Sequence, residues 1–533
     1  MREARKPLLE SLFEWSERRG EEVALSGRSL QSETAAEVTW RDLLKTVREL
    51  AAGWIRSGLK EGEPVVLDLP HILEWPIVHL SILMAGGITV PLDGAREGPS
   101  FEESLLHCGA RFVVTCWSSR LKALASERDI SETPISEIHY VQGSPGEGRA
   151  TIPEGWRRRA LRISALRERG RSEMELFPES CERRLEGHTL RSPALVHYTP
   201  GTEGKRRGVL LDVGNLIYEC AGVVQRLDLP SEPGGRQLVV MPNHTVWGSL
   251  ALWLGVREGQ SMKLLEDRCL EPDVFDGWPL DLVLGAPATF ERILELTMRE
   301  ELGSSFVARK LSSWAKDILS EKRRRSLLAR LPGEVAAGVM RRQLRKLFGG
   351  EETRLVCAGM TPTQELQRVY REAGFPLLSG YGLTESSGFT HLNPPDESSL
   401  TTVGPTLEGV GSRISPQGEI LVKGRTVFAG YWREDDEPQS GREVDGWWST
   451  GDVGVEEESG LVVLGRKQHL FETASGHPVA PLPLEADLEA HDGVKHAVVV
   501  GEGRPYVSAI LELETSPNGS SKGGEVSSDE REL

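Results

Sequence analysis

The sequence has only six cysteines (Cys108, Cys116, Cys181, Cys220, Cys269 and Cys357) in 533 residues, and no two of them form a C-x-x-C pair. Neither a structural zinc site nor a disulfide framework fits that scatter, and a reducing compartment is the natural setting. Long apolar runs are also missing. The most apolar stretch, around residues 77–91, is too short and too glycine-rich to span a bilayer. The N-terminal Met-Arg-Glu-Ala-Arg-Lys leads into an amphipathic run and not into the apolar core of a secretory signal. The expectation is a soluble cytoplasmic protein, with peripheral contact with a membrane still compatible. Positive charge is in deficit, since 63 Lys and Arg against 80 Asp and Glu give a formal net charge of −17. That disfavours nucleic acid as the main partner, because phosphate backbones require a positive field. It leaves ATP open, which needs only a local site. No internal repeat, Walker-type loop or dinucleotide fingerprint occurs, and no Gly-x-Ser-x-Gly elbow surrounds Ser386 or Ser387, so hydrolase chemistry has little support. His71, His79, His391 and His491 lack a partner spacing for a metal or a triad and read as surface or core residues.

What is present is enough apolar material, 38% of the chain, to bury a large core without staples. Periodicity predicts helices over 8–20 and 41–58, a strand over 64–69 and a helix over 74–84. A strand into Leu92, a helix over 102–110 and a strand over 111–116 follow. This alternation predicts layered α/β architecture with a partly parallel sheet. Residues 141–192 are charged and irregular and read as a solvated surface excursion. An apolar strand then runs from Pro193 to Tyr198 into a glycine-rich turn. Residues 291–348 read as a helical section ending in the stripe Met340, Leu344, Leu347 and Phe348, beside Arg341, Arg342, Arg345 and Lys346. Such a helix either docks with a charged outer face or touches an anionic membrane or a CoA phosphate. Residues 404–464 are β-rich. A small α/β appendage follows, with a helix over 484–491 and strands over 496–500 and 506–512, and 515–533 reads as a disordered tail. The thirteen tryptophans are dispersed and read mainly as core bulk.

The turn after Tyr198 reads Thr199-Pro200-Gly201-Thr202-Glu203-Gly204-Lys205-Arg206-Arg207-Gly208. Its glycines let the backbone present N–H groups inward, its threonines add hydroxyls, and Lys205, Arg206 and Arg207 add positive charge. A phosphate cradle and a surface turn both fit. Further on, Gly380-Tyr381-Gly382-Leu383-Thr384-Glu385 places a ring, a hydroxyl and a carboxylate at a strand end, where α/β sheets bind ligands. Tyr381 suits a purine face and Glu385 a magnesium ion. Asp452, in Thr450-Gly451-Asp452, suits a ribose diol, and Arg466 offers a guanidinium for hydroxyls or phosphate.

In order and spacing these segments resemble the adenylate-forming superfamily of acyl-CoA synthetases, luciferases and peptide-synthetase adenylation domains, along nearly the whole chain. The helical stretch ending at Leu347-Phe348-Gly349-Gly350, the segment Val479-Ala480-Pro481-Leu482-Pro483-Leu484-Glu485 and the turn Gly501 to Tyr506 resemble bacterial long-chain fatty acyl-CoA synthetases most. The resemblance implies a large N-terminal AMP-binding domain over 1–466, with a β-rich subdomain at about 404–466, and a small, truncated C-terminal α/β domain over 467–514. It implies a multi-subdomain α/β fold of layered mixed sheets. It also implies that a medium- or long-chain fatty acid is activated with ATP and Mg²⁺ to an acyl-adenylate, with CoA as the expected acceptor. Thr199, Gly201, Thr202, Gly204, Lys205 and Arg207 would hold the β and γ phosphates. Gly359, Gly380, Tyr381 and Gly382 would line the adenine, with Thr384 on the α-phosphate and Glu385 on Mg²⁺. Asp452 and Arg466 would hold the ribose, while Trp247 and Gly248, just after the active-site candidate His244, would border the acyl tunnel.

The chain departs from the family pattern in ways that have chemical consequences. The loop usually reads Tyr-Thr-Ser-Gly-Thr-Thr-Gly-x-Pro-Lys-Gly-Val. Here Pro200 replaces its serine, Glu203 puts a carboxylate among the phosphates, and Arg206-Arg207 replaces Pro-Lys. The segment 239–244 is one residue short of the usual Pro-x-x-His, and the hinge reads Gly465-Arg466-Lys467-Gln468-His469. The family's catalytic lysine near the C-terminus has no counterpart in a matching context. Lys522 lies in Ser-Ser-Lys-Gly-Gly and is not assigned that role. Two alternatives to an active ligase follow: a pseudoenzyme that binds nucleotide or acyl ligand, and a structural or interaction protein on the same fold, with the protein partner unspecified.

Overall fold

Thr39 is extended and its hydroxyl accepts the Asp42 amide, so the chain turns directly from strand Ala35–Thr39 into helix Trp40–Arg56. Asp42 in the first turn and Arg56 in the last complement the helix dipole. Trp40, Leu43, Val47 and Trp54 are fully buried from this helix in the main apolar core, which also takes in Leu25 and Trp75. The computed structural model describes residues 8–30, 32, 35–92, 99–117, 133–141, 156, 158–199, 206–229, 234–275, 278–301, 330–350, 352–396, 398–433, 445–489, 491 and 494–513.

Two eight-stranded mixed sheets carry the fold. The first runs in the order Gly430–Tyr431, Arg207–Asp212, Pro193–Thr199, Ile88–Pro91, Pro64–Asp68, Phe112–Thr115, Glu137–Tyr140 and Ala160–Arg162. Its members pair parallel from Pro193–Thr199 onward, and Arg207–Asp212 and Gly430–Tyr431 are added antiparallel at the other edge. The three central parallel strands Pro64–Asp68, Ile88–Pro91 and Phe112–Thr115 are buried at every position, which is why they read as unbroken apolar runs. The second sheet runs Ala35–Thr39, Val23–Arg28, Ser261–Leu264, Arg236–Val239, Leu282–Gly285, Arg354–Cys357, Leu377–Leu383 and Gly388–Leu392. It is parallel inside and antiparallel at both edges. A four-stranded antiparallel sheet, Val410–Ile414, Glu419–Gly424, Trp448–Glu457 and Gly460–Arg466, follows. Beyond it, helix Pro481–Glu489 packs on the hairpin of Val494–Val500 and Ser508–Leu513. The architecture is the multi-subdomain, mixed-sheet α/β arrangement expected from the sequence.

The charged stretch 141–192 is not a solvated excursion where it is described. Ala160–Arg162 is an edge strand, and helices Ile163–Leu176 and Ser180–Glu186 dock on the helix over 40–56. The charges serve that interface. Buried Glu49 accepts both Arg167 and Arg171, the latter at 3.1 Å, and Arg56 pairs with Glu173 at 3.1 Å. Burial alone would raise the Glu49 carboxyl, but the two guanidinium bonds outweigh it and hold it below the usual value. A hydropathy pattern cannot distinguish such paired charges from solvated ones.

The helical expectation over 291–348 resolves into helices Pro287–Glu301 and Arg330–Phe348, with 302–329 outside the described residues. Met340, Leu344, Leu347 and Phe348 are buried in a second core with Phe290, Tyr370 and Phe375, so that stripe is a docking face and not a membrane face. Among the described residues, no helix is long and apolar enough to cross a membrane. The six cysteines are free thiols. The tail expected over 515–533 lies outside the described residues.

Gly170 marks the closest approach of the docked helix, since a Cβ there would stand 1.6 Å from the Glu49 carbonyl oxygen. Gly170→Ala is therefore expected to cost about 2–3 kcal/mol by forcing the helices apart. Urea unfolding checks this, and an unchanged midpoint would contradict the docking.

Candidate functional site

Strand Leu377–Leu383 leaves the second sheet through Gly380-Tyr381-Gly382, and both glycines are sterically required. A Cβ at Gly380 would lie 2.5 Å from the Phe389 ring, and one at Gly382 would lie 1.7 Å from the Gly388 carbonyl. With no side chains there, strand Gly388–Leu392 lies flat against the glycines, leaving Tyr381 as the only ring on this stretch. The turn that follows is locked by Ser386, whose hydroxyl oxygen accepts the Leu383 amide at 2.8 Å and whose O–H donates to the Gly388 carbonyl at 2.9 Å. Ser386 is thus a turn residue and not a nucleophile. Thr384 and Glu385 occupy that turn.

From the four-stranded sheet come Asp452 and Arg466, directly opposite each other in the antiparallel register. The Arg466 Nε lies 3.1 Å from Asp452 Oδ1, and the Tyr381 phenol donates to Asp452 Oδ2 at 2.7 Å. Arg466 also donates to the Thr450 carbonyl at 3.4 Å, and the Thr450 hydroxyl accepts the Asp452 amide at 3.1 Å. Burial raises the Asp452 carboxyl above the ordinary aspartate value, while Tyr381 and Arg466 oppose it. The three residues singled out separately in the sequence therefore form one contact across two sheets.

A second contact holds Glu385 and Arg207. The Tyr431 hydroxyl donates to Glu385 Oε1 at 3.1 Å, and the Arg207 guanidinium carbon lies 3.5 Å from the centre of the Tyr431 ring. Burial raises the Glu385 carboxyl, with the Tyr431 bond and the charges of Arg466 and Arg207 pulling the other way. Thr199 stands opposite Arg207 in the register of its strand pair. Gly201, Thr202, Gly204 and Lys205 lie outside the described residues, as do Pro200 and Glu203. Among the described residues, no group of three or more His, Cys, Asp or Glu could hold a metal. Glu385 offers one hard carboxylate oxygen, the kind of donor that Mg²⁺ sites combine with phosphate and water oxygens.

The expected acyl region is built on helix Val246–Glu258. Thr245 caps it by accepting the Gly248 amide at 3.2 Å, and a Cβ on Gly248 would lie 2.3 Å from the Pro242 carbonyl. Trp247 is buried with its ring 4.6 Å from that of Phe389, and a Cβ on Gly359 would lie 3.4 Å from its indole nitrogen. The His244 carbonyl is bonded by His197 Nδ1 at 3.0 Å, and His197 Nε2 is 3.2 Å from Ser249 Oγ. A carbonyl can only accept, so Nδ1 carries the proton and Nε2 accepts from Ser249. Burial lowers His197 to about 4, so the ring stays neutral. Of the remaining histidines, His79 and His391 are buried, His71 bonds to the Val239 carbonyl and His491 is exposed.

Sequence reasoning missed Tyr431, His197 and Glu219. The signal for Tyr431 was present in Phe428-Ala429-Gly430-Tyr431-Trp432, an aromatic cluster just after strand Glu419–Gly424. Nothing local marked it as a partner of residues 46 positions away. Glu219 is fully buried beneath the strand over 388–392. Its Oε1 accepts the Phe389 amide at 2.6 Å, and its Oε2 has no hydrogen-bond partner among the described residues.

The AMP-binding enzyme family matches residues 12–432, and the AMP-binding enzyme C-terminal domain matches residues 470–528. The long-chain-fatty-acid–CoA ligase FadD15 of Mycobacterium bovis is 29% identical over 487 residues, covering 90% of this chain and 77% of the ligase. The long-chain-fatty-acid–CoA ligase ACSBG2 of Xenopus laevis is 23% identical over 523 residues, covering 94% and 68%. Among solved structures, ATP-bound MatB from Rhodopseudomonas palustris aligns with a TM-score of 0.68 at 21% identity, covering 97% of this chain and 89% of that one. An anthranilate CoA ligase in complex with anthranoyl-AMP aligns with a TM-score of 0.68 at 18% identity, covering 95% and 87%. At such identities the structural likeness is one of fold.

Burial pushes the Glu219 carboxyl well above the ordinary glutamate value of 4.5. The folded protein therefore retains a proton there that the unfolded chain releases. The group's contribution to stability is full below the ordinary value and is lost as pH rises through the raised one. Glu219→Gln keeps an acceptor for the Phe389 amide and does not titrate. Its melting temperature relative to wild type is expected to rise as pH increases from about 5 to about 8. A constant difference across that range would show that Glu219 is not held protonated.

Proposed function

The chain belongs to the AMP-binding enzyme family, and on that premise we propose that it is an ATP-dependent ligase that activates a medium- to long-chain fatty acid as its acyl-adenylate and passes the acyl group to CoA. Activation of a carboxylic acid by ATP goes with family membership. The fatty acid is suggested by the relatives named as long-chain-fatty-acid–CoA ligases, the nearer of which is 29% identical. The observation that carries the reading is the Tyr381–Asp452–Arg466 contact, which brings a ring, a buried carboxylate and a guanidinium to one strand end.

In this reading Tyr381 covers the adenine face beside Gly359, Gly380 and Gly382, and Asp452 and Arg466 take the ribose hydroxyls. Arg207 and Thr199, with the loop carrying Gly201, Thr202, Gly204 and Lys205, face the β and γ phosphates, and Thr384 faces the α-phosphate. Glu385 holds Mg²⁺, which neutralises phosphate charge when bound. The substrate carboxylate oxygen bonds to the α-phosphorus as the bond to pyrophosphate breaks. The negative charge that moves onto pyrophosphate is met by preorganised cations and amides. Trp247 and Gly248 border the acyl chain, and His244 stands at its carboxylate end. Residues 1–466 form the nucleotide-binding part, including the β-rich unit at about 404–466, and 467–514 form the small domain. One feature favours a second reading, binding without turnover: the Glu203 carboxylate within the phosphate loop.

Purified protein incubated with ATP, Mg²⁺ and fatty acids of eight to eighteen carbons is expected to release pyrophosphate and form acyl-AMP. Glu385→Ala should lower that rate roughly 100-fold or more, as loss of a group acting on the developing charge does. Calorimetric ATP binding without pyrophosphate release would establish the second reading, and the absence of both would refute nucleotide chemistry altogether.

Asp452 and Glu385 must be ionised to serve ribose and Mg²⁺, and burial raises both carboxyls. As pH falls through those raised values the groups take up protons and the site loses charge. The acid limb of kcat/KM for ATP is therefore expected above the ordinary glutamate value of 4.5. An acid limb at or below that value would contradict the burial argument.

A further inference from the structure

Arg207 and Glu385 carry opposite charges on neighbouring elements, and the Arg207 charge opposes the upward push of burial on the Glu385 carboxyl. A guanidinium and a carboxylate in such a site tend to close on each other in a bidentate pair, and a closed pair offers little to a third group. Tyr431 touches both. Its ring face takes the Arg207 guanidinium at 3.5 Å and its hydroxyl takes Glu385 Oε1 at 3.1 Å. The cation therefore rests on a neutral π-face, and the carboxylate rests on a neutral donor.

The ring is held from several sides. Tyr431 stands opposite Val209 on the strand that begins with Arg207, so Arg207 is its diagonal neighbour on the same face. Phe428 meets the ring edge-on at 4.8 Å, and its amide donates to the Glu385 carbonyl at 2.8 Å. The next residue, Trp432, donates its amide to the Gly208 carbonyl at 2.7 Å and its indole N–H to the Cys108 carbonyl at 3.3 Å. Arg433 adopts a left-handed φ of 59° and donates to the His107 carbonyl at 3.2 Å. A non-glycine residue persists in that conformation only where its surroundings over-determine it. The segment 428–433 is thus pinned to two elements outside its own sheet, the turn at Glu385 and the end of helix Pro99–Cys108.

We propose that Tyr431 is a positioning residue that keeps Arg207 and Glu385 from pairing with each other, so that each meets ATP separately, the guanidinium at phosphate and the carboxylate at the metal. The proposal rests on the functional reading above for the identity of the ligand, but not for the wedge itself. Arginine at position 207 fits the role better than lysine, because a planar guanidinium stacks on a ring and a compact ammonium does so less well.

A ligand-free double-mutant cycle tests the wedge directly. Arg207→Gln, Glu385→Gln and their combination are melted in three backgrounds: wild type, Tyr431→Phe and Tyr431→Ala. The two charges are expected to act nearly additively with tyrosine or phenylalanine at 431, and to become coupled with alanine, where the guanidinium reaches the carboxylate. Equal coupling in all three backgrounds would overturn the proposal. Calorimetric titration of ATP with and without Mg²⁺ gives the functional arm. Tyr431→Ala should weaken binding roughly 10-fold in both conditions, in line with loss of a charge-assisted contact. Tyr431→Phe, which keeps the ring and loses the bond to Glu385, should weaken only the Mg²⁺-dependent part. Tyr431→Phe and Tyr431→Ala behaving alike with and without Mg²⁺ would also overturn the separate roles. Wild-type protein that binds no ATP would refute the functional reading while the cycle still decides the wedge.

Discussion

The buried carboxylate of Asp452 is the joint on which the site depends. It is 5% exposed, and it carries a phenol from one sheet on one oxygen and a guanidinium from another strand on the other. A buried carboxylate with both oxygens occupied is held in one place, because losing either partner leaves charge unsatisfied in a poor solvent. That constraint orients the four-stranded sheet against the strand over 377–383. Without it Tyr381 and Arg466 would belong to separate layers with no reason to meet.

The same physics runs through the rest of the centre. Glu385, Asp452 and Glu219 are all shifted upward because burial disfavours the ionised form, yet their surroundings differ. Asp452 has an arginine alongside, Glu385 has a phenol and two more distant cations, and Glu219 has one backbone amide. The first two are suited to meeting positive or hydroxyl-bearing ligands, and the third is suited to staying neutral beneath the strand it supports. The three carboxyls share the upward push of burial and differ in the partners that oppose it. The neutral His197 completes the frame by tying strand Pro193–Thr199 to the turn that carries His244.

Steric closeness sets the backbone paths. Gly380 and Gly382 admit the neighbouring strand, Gly248 admits the Pro242 carbonyl, and Gly170 admits a helix. In each case a single methyl group would separate elements whose contact places a site residue or an interface. The charged helices over 163–186 follow from the same logic, since a glycine allows the approach and arginine–glutamate pairs satisfy what the approach buries.

Much of this was legible in the amino-acid order. The strand–helix alternation, the buried stripe at Met340 to Phe348 and the glycine-flanked Tyr381 follow from periodicity and backbone permissiveness, which act over a few residues. Asp452 and Arg466 could be selected by residue type and place. Their contact with Tyr381 could not, nor could the bridge from Tyr431 to Glu385, because those bonds join positions 71 and 46 residues apart. The misreading of the charged stretch 141–192, where it is described, has the same origin, since a charged helix paired across an interface and one in water share a composition. Local chemistry determined which residues could serve. Only the folded packing of three sheets decided which of them meet, because burial and charge pairing are properties of neighbours in space and not of neighbours in the chain.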